Sequence, residues 1–179
     1  MIKIQESQMN FGPFQRQRCF HIEKSEVYLR IQQKVQIAEF LLLKDRREKR
    51  PSVWVVEAKS SSPRPENTVS FDAFINEIKN KMINAFSLTL ASCLKRHKDA
   101  KSKLPEHFQY LNLAKTNFRF VLVIQGHQDS WLPPIQDALT KEFFVTTKTW
   151  AIAPNSVAVL NRKLAIQKGL VASEPDDDE

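Results

Sequence analysis

One strand-like segment of this sequence ends in charged residues of types that can hold a metal ion and handle a phosphate. Ser52–Lys59 reads SVWVVEAK, which predicts a buried β-strand carrying Glu57 and Lys59 near its end. The apolar segment before it, residues 34–44, also reads as a strand and contains Glu39. Side chains alternate between the two faces of a strand, so each charged residue shares a face with the apolar residues two and four positions away. We therefore expect charged groups inside an otherwise apolar hairpin.

The spacing of the two segments predicts how the three charged side chains meet. A charged connector at residues 45–51 lets the strands pair as an antiparallel hairpin centred on residue 48, so that opposed residue numbers sum to 96. Glu39 then faces Glu57 with Cβ atoms about 4.5–5.5 Å apart, and Lys59 lies on the same face. Opposed like charges destabilise a sheet, and buried ion clusters rarely offset their desolvation.

A divalent cation would remove this conflict, because Mg²⁺ is bound by one or two carboxylates together with phosphate oxygens and water. We predict metal-assisted hydrolysis of a phosphodiester, with Glu39, Glu57 and Lys59 as catalytic residues and Mg²⁺ or Mn²⁺ as cofactor. Lys59 would orient the attacking water or stabilise the charge that develops on the phosphate. A structural ion pair on a partly solvated sheet face is the alternative that the sequence leaves open.

The tripeptide pattern acid–x–Lys is weak evidence by itself, since about two matches are expected by chance in a chain of this composition. The chain has three: Glu57-Ala58-Lys59, Glu77-Ile78-Lys79 and Asp99-Ala100-Lys101. The second lies in a predicted helix and the third in a polar connection, and we interpret both as incidental. Only the first ends a buried strand and has an acid at the matching position of the preceding strand.

The sequence resembles the PD-(D/E)xK nuclease superfamily, the restriction-endonuclease-like fold. The resemblance lies in Ile37-Ala38-Glu39, a strand running into Glu57-Ala58-Lys59, a long helix and another buried strand. The resemblance covers residues 18–125. It implies that Glu39, Glu57 and the Ala58 carbonyl hold the metal and that Lys59 assists the attacking water. For the enzyme itself, we favour an endonuclease over an exonuclease.

The sequence departs from the superfamily pattern in two places. The first acid is Glu39 preceded by Ala38, where the pattern has Asp preceded by Pro. No clear helix precedes the first strands, so the acid that many members place there is unassigned. Glu6, Glu23 and Glu26 are the candidates, and an ordinary surface position is the alternative for each.

The order of the predicted elements indicates an α/β fold, with a central mixed sheet and helices on its faces. After strand-like pieces at 19–22 and 27–31 and the hairpin, a long helix is predicted to start at Ser70, with an apolar stripe to residue 94. The remaining predicted elements are, in order, a strand at 118–125, a helix at 133–143, a strand at 148–153 and a helix at 157–167. Residues 1–172 are expected to form one domain and residues 173–179 an acidic disordered tail.

The charge of the chain favours a polyanionic partner. The 179 residues include 27 Lys plus Arg and 20 Asp plus Glu, a formal charge of +7. Five of the acids lie in the last six residues, so the rest of the chain carries +12. Nucleic acid is the partner that such a charge predicts, and an ordinary solvated surface is the alternative. We favour DNA over RNA as this partner. A homodimer or a partner protein in a larger complex is compatible with this interpretation.

Two groups of residues are candidates for contacts to nucleic acid, one after Lys59 and one in the hairpin connector. They are Ser60, Ser61 and Arg64, and Arg46, Arg47, Lys49 and Arg50. A polar turn and a solvated hairpin tip are the respective alternatives. The four histidines show no zinc spacing, and Trp54, Trp131 and Trp150 are interpreted as core residues rather than as base-stacking surfaces.

Composition excludes several other classes. Three isolated glycines cannot form the clustered glycine loops of a P-loop ATPase or a dinucleotide-binding enzyme. Two cysteines, no apolar run of about 20 residues and no signal-peptide pattern predict a cytoplasmic protein with no membrane partner. Two rival functions stay open, a catalytically degenerate nuclease fold that binds nucleic acid or serves in an assembly, and a protein-interaction module. For a nuclease, host defence, repair and mobile-element processing are all open.

Overall fold

A computed structural model describes residues 1–44 and 50–173, and a mixed β-sheet lies at its centre. Seven strands are present in this part of the chain: β1 Ile2–Glu6, β2 Met9–Phe14, β3 Cys19–Phe20, β4 Phe40–Lys44, β5 Ser52–Lys59, β6 Asn117–Ile124 and β7 Val157–Asn161. The α-helices are α1 Glu26–Leu29, α2 Thr68–Cys93, α3 Ala100–Lys103, α4 Glu106–Gln109, α5 Leu132–Thr149 and α6 Arg162–Gln167. Short 3₁₀ turns lie at Arg16–Arg18, Ile22–Lys24 and Asp129–Trp131.

The central sheet has five strands in the order β3-β4-β5-β6-β7. The pairs β3–β4 and β4–β5 are antiparallel, whereas β5–β6 and β6–β7 are parallel. The hairpin register is the predicted one, because Leu43 pairs with Val53 and Phe40 with Val56. β1 and β2 form a separate two-stranded hairpin.

Alternating residues of the sheet form two apolar layers. Val53 and Val55 pack with α2 and α5 on one face. Trp54 and Val56 pack on the other face with the β1–β2 hairpin and α6. The predicted α/β class, with a mixed sheet and helices on its faces, is confirmed.

Three predictions about the first half of the chain were wrong in detail. Residues 27–31 do not form a strand, since α1 begins after Ser25, whose hydroxyl accepts a hydrogen bond from Tyr28 N at 3.2 Å. The strand predicted at 34–44 begins only at Phe40, so Glu39 lies immediately before it. The long helix begins at Thr68 rather than Ser70, because Asn67 caps it and accepts from Ser70 N at 3.5 Å.

The elements after residue 130 also differ from the prediction. α5 continues to Thr149, so no strand forms at 148–153, although the β-branched residues there favour one locally. The buried residues of α5 end at Phe143, and its last turn is closed by a backbone hydrogen bond from Trp150 N to Thr146 O at 3.1 Å. Residues 157–167 form β7 and then α6 rather than one helix. A short apolar run cannot be assigned to strand or buried helix from periodicity alone.

Some sequence predictions fall outside the described residues. Arg46, Arg47 and Lys49 lie in the gap at 45–49, and the predicted tail lies outside the described residues except for Ser173. In the part of the chain that the structure describes, no helix has the length and apolarity needed to cross a membrane.

Candidate functional site

The predicted trio lies where the end of β5 meets the segment before β4 and one side of α2. Backbone hydrogen bonds fix that segment: Glu39 N donates to Val56 O at 3.2 Å, and Ala38 N donates to Lys81 O at 3.2 Å. The first bond fastens it to β5 and the second to α2. Glu39 is therefore held beside β5 even though β4 starts one residue later.

Glu57 is the centre of the cluster and is fully buried, with 0% of its surface exposed. Its Oε1 accepts a hydrogen bond from Lys81 Nζ at 2.7 Å and lies 3.4 Å from Lys59 Nζ. Its Oε2 is buried with no hydrogen-bond partner among the described residues. Oε1 of this carboxylate therefore contacts two ammonium groups, whereas Oε2 has no partner among the described residues.

Lys59 lies between this buried carboxylate and solvent. Its Nζ donates to Glu77 Oε1 at 2.8 Å, and 25% of its side chain is exposed. Because Glu77 and Glu57 contact it from two elements, the ammonium is held in place at the mouth of the site.

Glu39 is buried to 6% exposure, and its Oε2 has no hydrogen-bond partner in the described parts of the chain. Burial raises the pKa of Glu39 to about 9, and the carboxylates of Glu57, Glu23 and Glu6 add to the rise, with Lys81 opposing it. The side chain is therefore protonated at neutral pH unless a cation approaches it.

The pKa values of Glu57 and Lys81 follow from the same geometry. Burial raises the pKa of Glu57, and the contacts with Lys81 and Lys59 oppose that rise. Burial alone would lower the pKa of Lys81, but Glu57, Glu39 and Glu77 outweigh it, so the pKa of Lys81 lies above its ordinary value. Lys81 stays charged and stabilises a carboxylate that would otherwise be costly to bury.

Alternation along β5 gives the direction of the Ala58 carbonyl. Lys59 O accepts from Gln125 N at 2.9 Å on the β6 side, and Val56 O accepts from Glu39 N on the β4 side. Neighbouring carbonyls along a strand point in opposite directions. The Ala58 carbonyl therefore points to the side of β4, past the point where that strand begins.

Two of the three candidates for the unassigned acid lie beside Glu39. Carboxylate oxygens of Glu6 and Glu23 fall within 4.8 Å of one another and of a Glu39 oxygen. Glu26 is instead engaged elsewhere, with Lys103 Nζ at 3.1 Å. Glu6 comes from β1 and Glu23 from a 3₁₀ turn, so neither comes from a helix like the one the resemblance implies.

The predicted contacts to nucleic acid divide between two ends of β5. Ser60, Ser61 and Arg64 are exposed and follow Lys59 directly. Arg50 is exposed but precedes β5, an eight-residue strand about 25 Å long. It therefore lies too far from the cluster to contact the same phosphate as Lys59.

Sequence reasoning missed the two residues that α2 contributes, Glu77 and Lys81. They are one helical turn apart, and each directly precedes a buried residue of the apolar stripe, Ile78 or Met82. Glu77 belongs to a second acid–x–Lys match, which was interpreted as incidental. The available signal was that two opposite charges at i and i+4 border the face that packs on the sheet.

No match was found for this chain among models of protein families, curated proteins or solved structures.

Proposed function

We propose that this protein is a magnesium- or manganese-dependent nuclease with Glu39, Glu57 and Lys59 as its active centre. The observation that carries the proposal is a pair of buried carboxylates, each with one oxygen that lacks a hydrogen-bond partner among the described residues. A buried carboxylate oxygen without a hydrogen bond is costly, and a divalent cation can bind the oxygens of two such groups together.

The donor set around these oxygens fits a hard cation. Glu39 and Glu57 supply carboxylate oxygens, the Ala58 carbonyl points to the same side of β5, and Glu6 and Glu23 lie next to Glu39. All are oxygen donors, as Mg²⁺ and Mn²⁺ prefer. The bound cation would polarise the phosphodiester and lower the pKa of a water molecule.

The two lysines have different roles in this proposal. Lys59, partly exposed and held by Glu77, donates a hydrogen bond to a phosphate oxygen and stabilises the negative charge that builds up during attack. Lys81 is a positioning residue, because its Nζ at 2.7 Å orients the Glu57 carboxylate and opposes the rise in the pKa of Glu57 that burial causes. Glu77 in turn keeps the Lys59 ammonium at the mouth of the site.

The charge and the strand arrangement support a nucleic-acid substrate, which we propose to be DNA. The formal charge of +7 attracts a polyanion, and exposed Ser60, Ser61 and Arg64 follow Lys59. An antiparallel β4–β5 pair followed by α2 and a parallel β6 supports a restriction-endonuclease-like core, in which the acids lie where β5 ends.

A second candidate is a catalytically degenerate nuclease fold that binds nucleic acid without cutting it. The observation that favours it is a set of two ion pairs, in which Lys81 contacts Glu57 Oε1 and Glu77 contacts Lys59. Such a closed set of ion pairs is also what a purely structural cluster would show.

Cleavage of circular single-stranded DNA separates the two candidates. With Mg²⁺ or Mn²⁺, but not with a chelator, the wild-type protein should open circular single-stranded DNA, which has no ends for an exonuclease. Glu57→Gln and Lys59→Met should each lower the rate roughly 10²- to 10⁴-fold, the usual range for a charge-stabilising or proton-transferring group.

The third acid–x–Lys match provides matched controls. Asp99→Asn and Lys101→Met remove the same charges from the connection after α2, and both should leave the rate unchanged. Full activity in Glu57→Gln and Lys59→Met would exclude the proposed centre. Salt-dependent binding without cleavage by the wild-type protein would favour the degenerate fold instead.

A further inference from the structure

A cavity of about 530 Å³ lies beside the proposed active centre, at the edge of the sheet where β5 and β6 end. One wall is the loop that follows Lys59, and the other is the start of α5. Residues on both walls include Ser62, Arg64, His127, Trp131 and Pro134. Its volume is within the range of ordinary ligand cavities, about 300–1,000 Å³.

Two backbone hydrogen bonds bring this cavity close to Lys59. Gln125 N donates to Lys59 O at 2.9 Å, and Gly126 N donates to Ser60 O at 3.0 Å. A Cβ at Gly126 would lie 3.0 Å from Ser60 O, so glycine permits this close approach. The cavity therefore begins within three residues of the lysine that we assign to the scissile phosphate.

The lining offers the three kinds of contact that a nucleotide needs. Trp131 is 50% exposed, and its ring stands perpendicular to His127 with centroids 5.5 Å apart. Trp131 is thus not the core residue that the sequence suggested. Ser62 Oγ and His127 Nε2 form a polar pair at 2.7 Å, and burial lowers the pKa of His127, which favours the neutral ring. Exposed Arg64 adds a cation at the rim, where Glu66 is the one acid.

A second cavity of about 800 Å³ shares His127 and continues along the same edge of the sheet. Gln125, Gln128, Arg162 and Lys163 are among its lining residues, together with Asp129, whose carboxylate accepts a hydrogen bond from Asn161 Nδ2. Both cavities therefore lie at the carboxyl ends of the parallel strands, which is where open α/β sheets bind ligands. Amide and cationic side chains in this second cavity suit the polar edges and phosphates of the next nucleotides in a strand.

We propose that the 530 Å³ cavity binds an unpaired base of the nucleic acid, stacked on Trp131, so that the substrate is single-stranded or locally unpaired. Bases inside a duplex have both faces covered by their neighbours, and only an unpaired base can place its face on an aromatic ring. The inference rests on the proposed function in one respect, since the phosphate next to this base is the one at Lys59.

Binding of a fluorescent single-stranded oligodeoxynucleotide of about 12 residues, measured by anisotropy in chelator, tests this pocket without requiring cleavage. Trp131→Ala should weaken binding about 5- to 150-fold, as expected for loss of one base–aromatic stack, and Trp131→Phe should restore most of it. Trp150→Ala is the matched control, because Trp150 is 55% exposed at the opposite end of α5, and it should bind like wild type. A blunt-ended duplex serves as a second ligand, and its affinity should be the same for the wild-type protein and all of these variants.

The inference would be overturned if wild type and Trp131→Ala bound the single strand with equal affinity. It would also be overturned if Trp150→Ala lost as much affinity as Trp131→Ala, or if Trp131→Ala lost as much affinity for the duplex as for the single strand. These results would leave the nuclease proposal standing if the wild-type protein still cleaves with metal. Conversely, Trp131-dependent binding by a protein that never cleaves would support the pocket and reject the proposed activity.

Discussion

Glu39 is a buried carboxyl group surrounded by other acidic side chains. It is 6% exposed, one of its oxygens lacks a partner among the described residues, and its neighbours Glu57, Glu23 and Glu6 carry the same charge. Since these conditions disfavour a carboxylate, the metal-free protein keeps a proton on Glu39. A cation that binds there has to replace that proton.

This proton makes stability depend on pH in a direction opposite to the usual one for a carboxyl group. Folded Glu39 holds its proton up to about pH 9, whereas in the unfolded chain it titrates near its ordinary value of 4.5. Between these values the unfolded state binds fewer protons, so the contribution of Glu39 is complete below about pH 4.5 and is lost as pH rises to about 9.

Urea unfolding at a series of pH values, in chelator, should show this loss. From Glu39 alone we expect the free energy of unfolding to fall by up to about 1.4 kcal/mol per pH unit within that interval. Glu39→Gln should flatten the dependence, while Glu106→Gln, an exposed carboxyl group, should keep it. A slope that is the same in wild type and Glu39→Gln would show that Glu39 is ionised in the folded protein.

At the scale of elements, α2 contributes buried side chains to the core and two charged side chains to the candidate site. Its buried residues, including Phe74, Ile78, Met82 and Phe86, pack on the sheet, and Glu77 and Lys81 border that face. The position of both charged side chains therefore depends on how well this helix packs.

Phe86 shows how that packing can be measured. Its ring meets three other aromatic rings edge to face: Phe118 at 4.8 Å, Phe120 at 5.8 Å and Trp150 at 5.1 Å. Phe86→Ala should lower the free energy of unfolding by about 3–5 kcal/mol, because it removes a buried ring and leaves a cavity. Phe144→Ala removes an exposed ring from α5 and should cost less than about 1 kcal/mol. Similar losses in the two variants would argue against the packing described for α2.

At the scale of the whole molecule, the two termini of the described chain meet on the face of the sheet away from α2. Gly12 N donates to Leu170 O at 2.9 Å, and Ala172 N donates to Asn10 O at 2.9 Å. These bonds hold the β1–β2 hairpin against the end of the chain, and β1 ends at Glu6. A residue near the start of the sequence thus reaches the carboxylate cluster through long-range packing.

The net charge also acts on the scale of the whole molecule, and deletion of residues 174–179 tests its effect on nucleic-acid binding. These six residues carry five acids, and deleting them raises the formal charge from +7 to +12. We expect the deletion to tighten binding of a single-stranded oligonucleotide by roughly three- to tenfold at low salt, because long-range attraction increases. The gain should disappear at about 0.5 M salt, where charges more than a few ångströms apart are screened.

The control for this deletion replaces the six residues with Ser and Asn. It removes the charge at constant chain length, so it should behave like the deletion. Unchanged affinity in both proteins, or an equal gain at high salt, would contradict a purely electrostatic role.

The sequence alone determined the α/β class, the register of the β4–β5 hairpin and the shared face of Glu39, Glu57 and Lys59. These depend on local periodicity and on a short connection, and both can be read from neighbouring residues. The sequence did not determine the strand at 157–161 or the full length of α5. For such apolar or β-branched segments, packing partners distant in the chain decide between helix and strand.

Only the tertiary structure decided which residues surround that shared face. Lys81 and Glu77 are one turn apart on α2, and Glu6 and Glu23 come from two other segments, so no sequence spacing relates them to Glu57 or Glu39. Their positions follow from how α2 and the β1–β2 hairpin pack against opposite faces of the sheet. A strand fixes the direction of its own side chains within a few residues, but the groups that those side chains meet are fixed only when the layers pack.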